Sequence, residues 1–458
     1  MSLIAKLQEL LDADGLLLPA DDLARYTQEP RGRYQGRPLA VARPRNAGQL
    51  AALVRCCGGQ GVAMVAQGGR TGLVGGAAVT EDERQLIISL ERMNSIRVVD
   101  VADASMVVEA GCTLAQVQRA AMDHDLVYPV SLASEGSATI GGTIATNAGG
   151  NLTIRHGNSR RQVLGLEVVL ADGRVHSDLA PLRKDNSGYD LKQWFIGSEG
   201  TLGIITAATL ALQPAARQSV TAMVAVASLD SGLALLARLR DGLGETLSAC
   251  EFMPRLAIDY VLDYLPQARD PFDRTHPWYI VIQADTSVAG DWLEPSALAI
   301  LDRAMNDGLA NDAVVADSQA RANALWRLRE SISAAQQTGG VSLKHDIAVP
   351  VGRIPEFVER ATAELEQAVP GIRPCLFGHL GDGNLHFNLS QPQAMSADKF
   401  RACELLCNRI VFDLVRQYHG SIAAEHGIGQ LRRDELANGQ PLKVELMKQI
   451  KTALDPDN

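Results

Sequence analysis

Leu50, Leu53 and Val54 recur at helical spacing between two short apolar runs, Pro38-Leu-Ala-Val-Ala-Arg-Pro44 and Gly61-Val-Ala-Met-Val65. That pattern predicts strand, helix and strand over residues 38–65. Asn46, with Gln49 three residues on, is the expected N-cap in capping-box spacing, and Gly58-Gly59 ends the helix. Further along, residues 85–90 and 105–110 read as apolar strands around Met93-Asn94, and a helix is expected over 113–125. The runs 163–170 and 174–177 flank Asp172-Gly173, a hairpin signal. A strand over 204–212 closes at Pro214.

From about residue 219 the texture changes to strands such as 279–284 alternating with helices such as 317–337. Residues 396–415 and 430–454 read as helical. The expectation is an α+β chain in three parts, 1–215, 216–392 with an antiparallel sheet, and a helical 393–458 contributing to the active site. A length of 458 residues agrees with two or three domains at roughly 150 residues each.

Composition narrows the class. With 46% hydrophobic and 21% charged residues the chain is of folded, globular type. A net charge of −10 argues against a nucleic-acid binder. No apolar run reaches the roughly 18 residues of a membrane-spanning helix. The opening Met1-Ser-Leu-Ile-Ala-Lys-Leu-Gln-Glu-Leu-Leu-Asp12 is an amphipathic helix without a secretory pattern, so a cytoplasmic location is expected. Seven cysteines, an odd number without Cys-x-x-Cys, read as reduced thiols.

Glycine and histidine are unevenly placed. Residues 68–76, 136–150 and 197–203 hold 13 of the 41 glycines. Glycine permits positive φ and close backbone approach, which a cradle of N–H groups around phosphate requires. Neither a complete Gly-x-Gly-x-x-Gly nor a Gly-Lys-Ser/Thr motif is present, so a dinucleotide fold and a P-loop are unsupported. Four of the nine histidines, His379, His386, His419 and His426, fall in 379–426. A hairpin at Gly378-His-Leu-Gly-Asp-Gly-Asn-Leu-His-Phe-Asn388 brings His379 and His386 together. Ala424-Glu-His-Gly-Ile-Gly429 adds a carboxylate, and two imidazoles with one carboxylate suit zinc with an open position. His419, at an expected helix end, reads as a cap. Arg329, Ser333 and Lys344 offer two cations and a hydroxyl, suited to an anionic substrate. A zinc hydrolase whose glycine loops are only turns is the competing class.

Three strings carry a resemblance: Gln67-Gly-Gly-Arg-Thr-Gly-Leu-Val-Gly-Gly76, Gly141-Gly-Thr-Ile-Ala-Thr-Asn-Ala-Gly-Gly150 and Ile196-Gly-Ser-Glu-Gly-Thr-Leu-Gly-Ile204. They resemble the FAD-binding elements of the vanillyl-alcohol-oxidase superfamily, whose fold has a two-subdomain PCMH-type FAD-binding domain. The resemblance implies pyrophosphate contacts at Gly68, Gly69, Arg70, Thr71, Gly72 and Gly75. It implies flavin-side contacts at Gly142, Thr143, Thr146, Asn147, Gly149 and Gly150, with Glu199, Gly200 and Ile204 also on the cofactor. The first loop has no histidine or cysteine, so the FAD is expected to be non-covalent.

The segments 378–388 and 424–429 resemble the metal-dependent D-2-hydroxyacid dehydrogenases. This implies His379, His386 and Glu425 as ligands of Zn2+, with Mn2+ or Co2+ as alternatives, and His426 as the base. In the hydroxyglutarate branch, positions matching Arg329, Ser333, Lys344 and Asn388 hold the substrate. Leu380 and Leu385 stand where the lactate branch tends to have Val and Phe. The implied reaction is oxidation of D-2-hydroxyglutarate to 2-oxoglutarate with hydride transfer to flavin N5. D-Lactate, D-malate and glycolate are the alternative substrates. Electron-transfer flavoprotein or a quinone-linked carrier is the implied acceptor, and a homodimer the expected oligomer.

Overall fold

The computed structural model describes residues 2–80 and 84–457, so Met1 and Asn458, which bound the strings read above, lie outside it. The caps act where the sequence places them. Asn46 accepts from Gln49 N at 2.9 Å and starts the helix Ala47–Gly58. In return the Gln49 side-chain oxygen accepts from Arg45 N at 2.8 Å, one residue earlier than a capping box requires. Thr113 and Gln116 complete a full capping box on Leu114–Met122. The Asp172-Gly173 hairpin joins Val163–Val169 to Val175–Asp178, with Gly173 at φ 77°.

The chain forms two compact units. The first comprises Met1–Gly150, Gly157–Ala215 and His426–Asn458; the second comprises Asn151–His156 and Ala216–Glu425. The separate helical segment expected over 393–458 is therefore divided between them.

In the first unit, Leu16–Leu17, Val41–Ala42, Gln85–Ser89 and Ala63–Gln67 form a four-stranded sheet in that order. Its last two pairings are parallel, as the strand–helix–strand pattern requires. A five-stranded antiparallel sheet runs Ile96–Asp100, Ser105–Glu109, Ile204–Ala211, Val163–Val169, Val175–Asp178. One core joins both sheets, with Leu50, Leu53, Ile88, Val108, Leu166 and Leu210 buried in it.

In the second unit, eight antiparallel strands form one sheet. Gln218–Val226, Trp278–Thr286 and Leu247–Pro254 lie at its centre, followed by Arg373–His379 and Asn384–Ser390. Period-two alternation sends the two faces to separate cores. Val224, Phe252, Ile280 and Leu376 enter one, and Met223, Met253, Val281 and Phe377 the other. The expected strand 279–284 is Trp278–Thr286, and the expected helix 317–337 is Gln319–Glu330 with short turns after it. His419 follows the helix Glu404–Gln417 with φ 56°, the left-handed position that ends a helix. All seven cysteines are unpaired.

Candidate flavin and metal sites

The first glycine loop leaves the C-terminal end of the strand Ala63–Gln67, where a parallel sheet opens a crevice. Among the described residues, the backbone N–H groups of 69–76 meet no acceptor. Such a row of free donors is what an anionic diphosphate would satisfy. The loop is held tight from behind. A Cβ at Gly69 would lie 1.8 Å from Ser137 O, and one at Gly68 would lie 2.1 Å from Thr139 Oγ1. Arg70 takes φ 56° and Gly75 φ 76°. The Arg70 guanidinium stands 5.3 Å from the Tyr26 ring centroid. Beside Gly72 and Gly200 the space for a side chain is open.

The middle string folds into the short helix Ile140–Ala145. Thr143 and Thr146 turn their hydroxyls back onto Ile140 O and Gly142 O, both at 3.0 Å. Asn147, at φ 53°, accepts from Arg160 N at 2.9 Å. Gly150 approaches Ser131 O so closely that a Cβ would lie 1.9 Å away. Ile204 is buried in the core of this unit, so its side chain is committed to packing.

Two residues outside the expected set organise these loops. Thr139 is buried with its hydroxyl unpartnered, between Gly68 and Gly142. Arg160 donates to Gln193 O at 3.0 Å, Gln193 Oε1 at 2.6 Å and Ile196 O, and so fastens the third loop.

The last segment of the chain is tied to the same loops. Glu199, at φ 53°, accepts from Ile428 N at 2.9 Å and Gly429 N at 2.8 Å. Gln430 donates to Gly75 O and Ala78 O at 2.8 and 2.9 Å, and its own N–H reaches Val74 O at 3.0 Å. Gly429 is required here, because a Cβ would lie 2.3 Å from Val74 O. Unpartnered N–H groups, an orphaned buried hydroxyl and open space at two glycines fit a diphosphate-bearing cofactor.

In the second unit the sheet register assembles a polar row. Glu251 pairs across from His379, Phe377 across from His386, and His386 across from Asp346. Alternation keeps His386 and Asn388 on one face of their strand while Leu385, Phe387 and Leu389 enter the core. One ligand atom each from His379, His386 and Glu425 lies within 4.8 Å of the others. The structure thus brings together the three residues expected to bind metal.

His379 Nδ1 donates to Glu251 Oε1 at 2.7 Å, and its Nε2 lies 3.2 Å from Glu425 Oε1. Asp346 accepts from Glu425 N and from Asn384 Nδ2, both at 2.9 Å, and lies 3.7 Å from His386 Nδ1. Burial drives His379 down, but Glu251 and Glu425 outweigh it and hold the ring well above its ordinary value. Burial also drives His386 down, to about 4, against the pull of Glu425 and Asp346. Burial raises Glu251, yet His379 and Arg329 prevail and keep it below its ordinary value. A two-imidazole, one-carboxylate set, with the Nδ1 of one imidazole already bonded to Glu251, fits a divalent metal.

The expected substrate residues divide. Lys344 Nζ reaches Ser333 O at 3.3 Å and Ser333 Oγ at 3.4 Å, so these two meet. Asn388 donates to Gln336 Oε1 at 2.8 Å. Arg329 is buried and directs Nε and Nη2 to Glu251 Oε2 at 3.0 and 2.8 Å, with its guanidinium 4.8 Å from the Phe377 ring centroid. Two of its three nitrogens are therefore committed to an internal ion pair. His426 opens the final segment of the first unit. Glu251 and Asp346 were missed because each lies far from the histidine string, 128 residues in the case of Glu251 and His379.

Fold and loops together define an FAD-linked oxidoreductase. A family model described as FAD linked oxidases, C-terminal domain, matches residues 215–458, and one described as FAD binding domain matches 38–178. The D-2-hydroxyglutarate dehydrogenase of Xanthomonas citri pv. viticola is 39% identical over 456 residues, 99% of this chain and 94% of that one. That of Stutzerimonas stutzeri is 35% identical over 457 residues, 100% of this chain and 97% of that one. The chain belongs to the D-2-hydroxyglutarate dehydrogenase family of FAD-linked oxidases. Substrate-bound p-cresol methylhydroxylase shares the fold, with a TM-score of 0.76 at 17% identity over 100% of this chain and 94% of that one. The PCMH-type α+β architecture expected from the sequence is thereby borne out. Among the described residues no helix is long and apolar enough to cross a membrane.

Proposed function

We propose that the chain oxidises D-2-hydroxyglutarate to 2-oxoglutarate with non-covalent FAD and one divalent metal, Zn2+ before Mn2+ or Co2+. The observation that carries this is full-length relatedness, 39% over 99% of the chain, to a D-2-hydroxyglutarate dehydrogenase. Support comes from the cluster of His379, His386 and Glu425 in the second unit. When bound, FAD supplies a hydride acceptor and the metal a Lewis acid for the 2-hydroxyl and carboxylate.

The chain's own groups do the rest. Backbone N–H groups of 69–76, with Arg70, Thr71 and Thr139, hold the diphosphate. His379, His386 and Glu425 hold the metal. His426 takes the hydroxyl proton as general base. Lys344, steadied by Ser333, takes the distal carboxylate, with Asn388 and the remaining Arg329 nitrogen as further anchors. Electron-transfer flavoprotein or a quinone-linked carrier is the proposed electron acceptor. Seven unpaired cysteines suit the reducing cytoplasm.

Anaerobic addition of D-2-hydroxyglutarate to the purified flavoprotein is the test. Bleaching of the visible flavin absorption with release of 2-oxoglutarate is expected. A much higher kcat/KM for D-lactate, D-malate or glycolate overturns the substrate, and no bleaching by any of them overturns the reaction.

A further inference from the structure

Glu251 is the most buried carboxylate of the polar row, 1% exposed, and it stands outside the cluster of His379, His386 and Glu425. Its two oxygens point to different partners. Oε1 accepts from His379 Nδ1 at 2.7 Å, while Oε2 accepts from Arg329 Nε and Nη2 at 3.0 and 2.8 Å. An isolated buried carboxylate is costly, so the Arg329 pair is what allows this anion to stand inside the sheet. The register supports the placement, since Glu251 and His379 are directly paired between neighbouring strands. Neither contact depends on a loop.

We infer that Glu251 is a positioning residue for the metal site. Accepting the Nδ1 proton fixes the tautomer in which the His379 Nε2 lone pair points toward Glu425 and the metal. Arg329 serves as the countercharge of Glu251 through two of its nitrogens. This inference rests on the metal reading proposed above. It assigns two residues to the orientation of one ligand.

The test separates hydrogen bonding from charge and from folding. The double variants E251Q/R329M and E251L/R329M both remove the buried ion pair, and such neutral replacements are generally tolerated. They differ in one group: the amide oxygen of the first still accepts from His379 Nδ1, while the second offers no acceptor. Zn2+ is titrated calorimetrically into chelator-stripped, flavin-loaded protein, with flavin content and thermal unfolding as checks on folding. E251L/R329M is expected to bind Zn2+ 10–100-fold more weakly than E251Q/R329M, the usual loss for a severed outer partner. Equal affinity in the two overturns the inference while leaving the metal reading intact. If the wild-type protein takes up no Zn2+, the metal reading itself fails, and the inference with it. Should E251L/R329M not hold flavin, E251D carries the same comparison against wild type. It keeps a buried carboxylate but shortens it by one methylene, which lengthens the contact to His379, and unchanged Zn2+ affinity there is the overturning result.

Discussion

On the proposed reading, Lys344 and His379 divide substrate choice from metal chemistry at the scale of single side chains. Lys344 holds its ammonium on Ser333 through bonds of 3.3 and 3.4 Å, long enough to yield to a stronger acceptor such as a carboxylate. A charged hydrogen bond is worth about 1.5–3 kcal/mol, so K344A should lower kcat/KM for D-2-hydroxyglutarate by roughly 10- to 100-fold. D-Lactate has no distal carboxylate and should be affected far less. Equal losses on the two acids, in parallel steady-state assays, would remove Lys344 from substrate selection. His379 concerns pH instead. Held well above its ordinary value by Glu251 and Glu425, it carries a proton at neutral pH in the metal-free protein. A metal on Nε2 must displace that proton. His386, driven to about 4, is already neutral and has none to give. Zn2+ uptake near pH 7 should therefore release about one proton, and Zn2+ affinity should fall about tenfold per unit as pH drops from 7 to 6. Calorimetry in buffers of different ionisation enthalpy reads this directly; release of two protons would contradict the neutral state of His386.

At the level of elements, what was legible in the sequence was local. The glycine strings and the hairpin around His379 and His386 each lie within a dozen residues, so composition and alternation expose them. The capped helix Ala47–Gly58 and the Asp172-Gly173 hairpin were legible for the same reason. The second partners were not. Glu251, Asp346 and Arg160 are ordinary residues in their own strings, and only strand register or loop packing brings them to a site. The segment after Glu425 is the sharpest case. Its sequence advertises a histidine beside a carboxylate, yet the next residues bind back to the glycine loops, Ile428 and Gly429 through Glu199, 229 residues from Ile428, and Gln430 and Leu431 through Val74 O. The Glu199 carboxylate satisfies two N–H groups at once, so E199A leaves both without an acceptor. With charged hydrogen bonds worth about 1.5–3 kcal/mol each, E199A should weaken FAD retention by at least tenfold. Release of fluorescent free flavin on dilution measures it, and wild-type retention would show that the tether does not support the cofactor loops.

Over the whole molecule, the order of the chain differs from the order of its compact units. The FAD binding domain model covers 38–178, and the first unit's main stretches end at Ala215, which invites the view that flavin binding is an N-terminal property. The structure returns His426–Asn458 to that unit after the entire second unit has been built. There Gln430 bonds to Gly75 O and Ala78 O, and its backbone to Val74 O, closing the first glycine loop from the far end of the sequence. Loops without such ties retain more conformational freedom, and ligand binding must then offset the ordering cost. A chain ending at Ala215 should accordingly bind FAD at least tenfold more weakly than the full protein, which corresponds to about 1.4 kcal/mol of lost preorganisation. Joining 426–458 to it through a flexible linker should recover most of the loss, whereas a scrambled 426–458 segment should recover none. FAD titrations of the three chains, followed by flavin fluorescence quenching, decide the matter. Full affinity in the 1–215 chain would mean that the cofactor loops are self-sufficient.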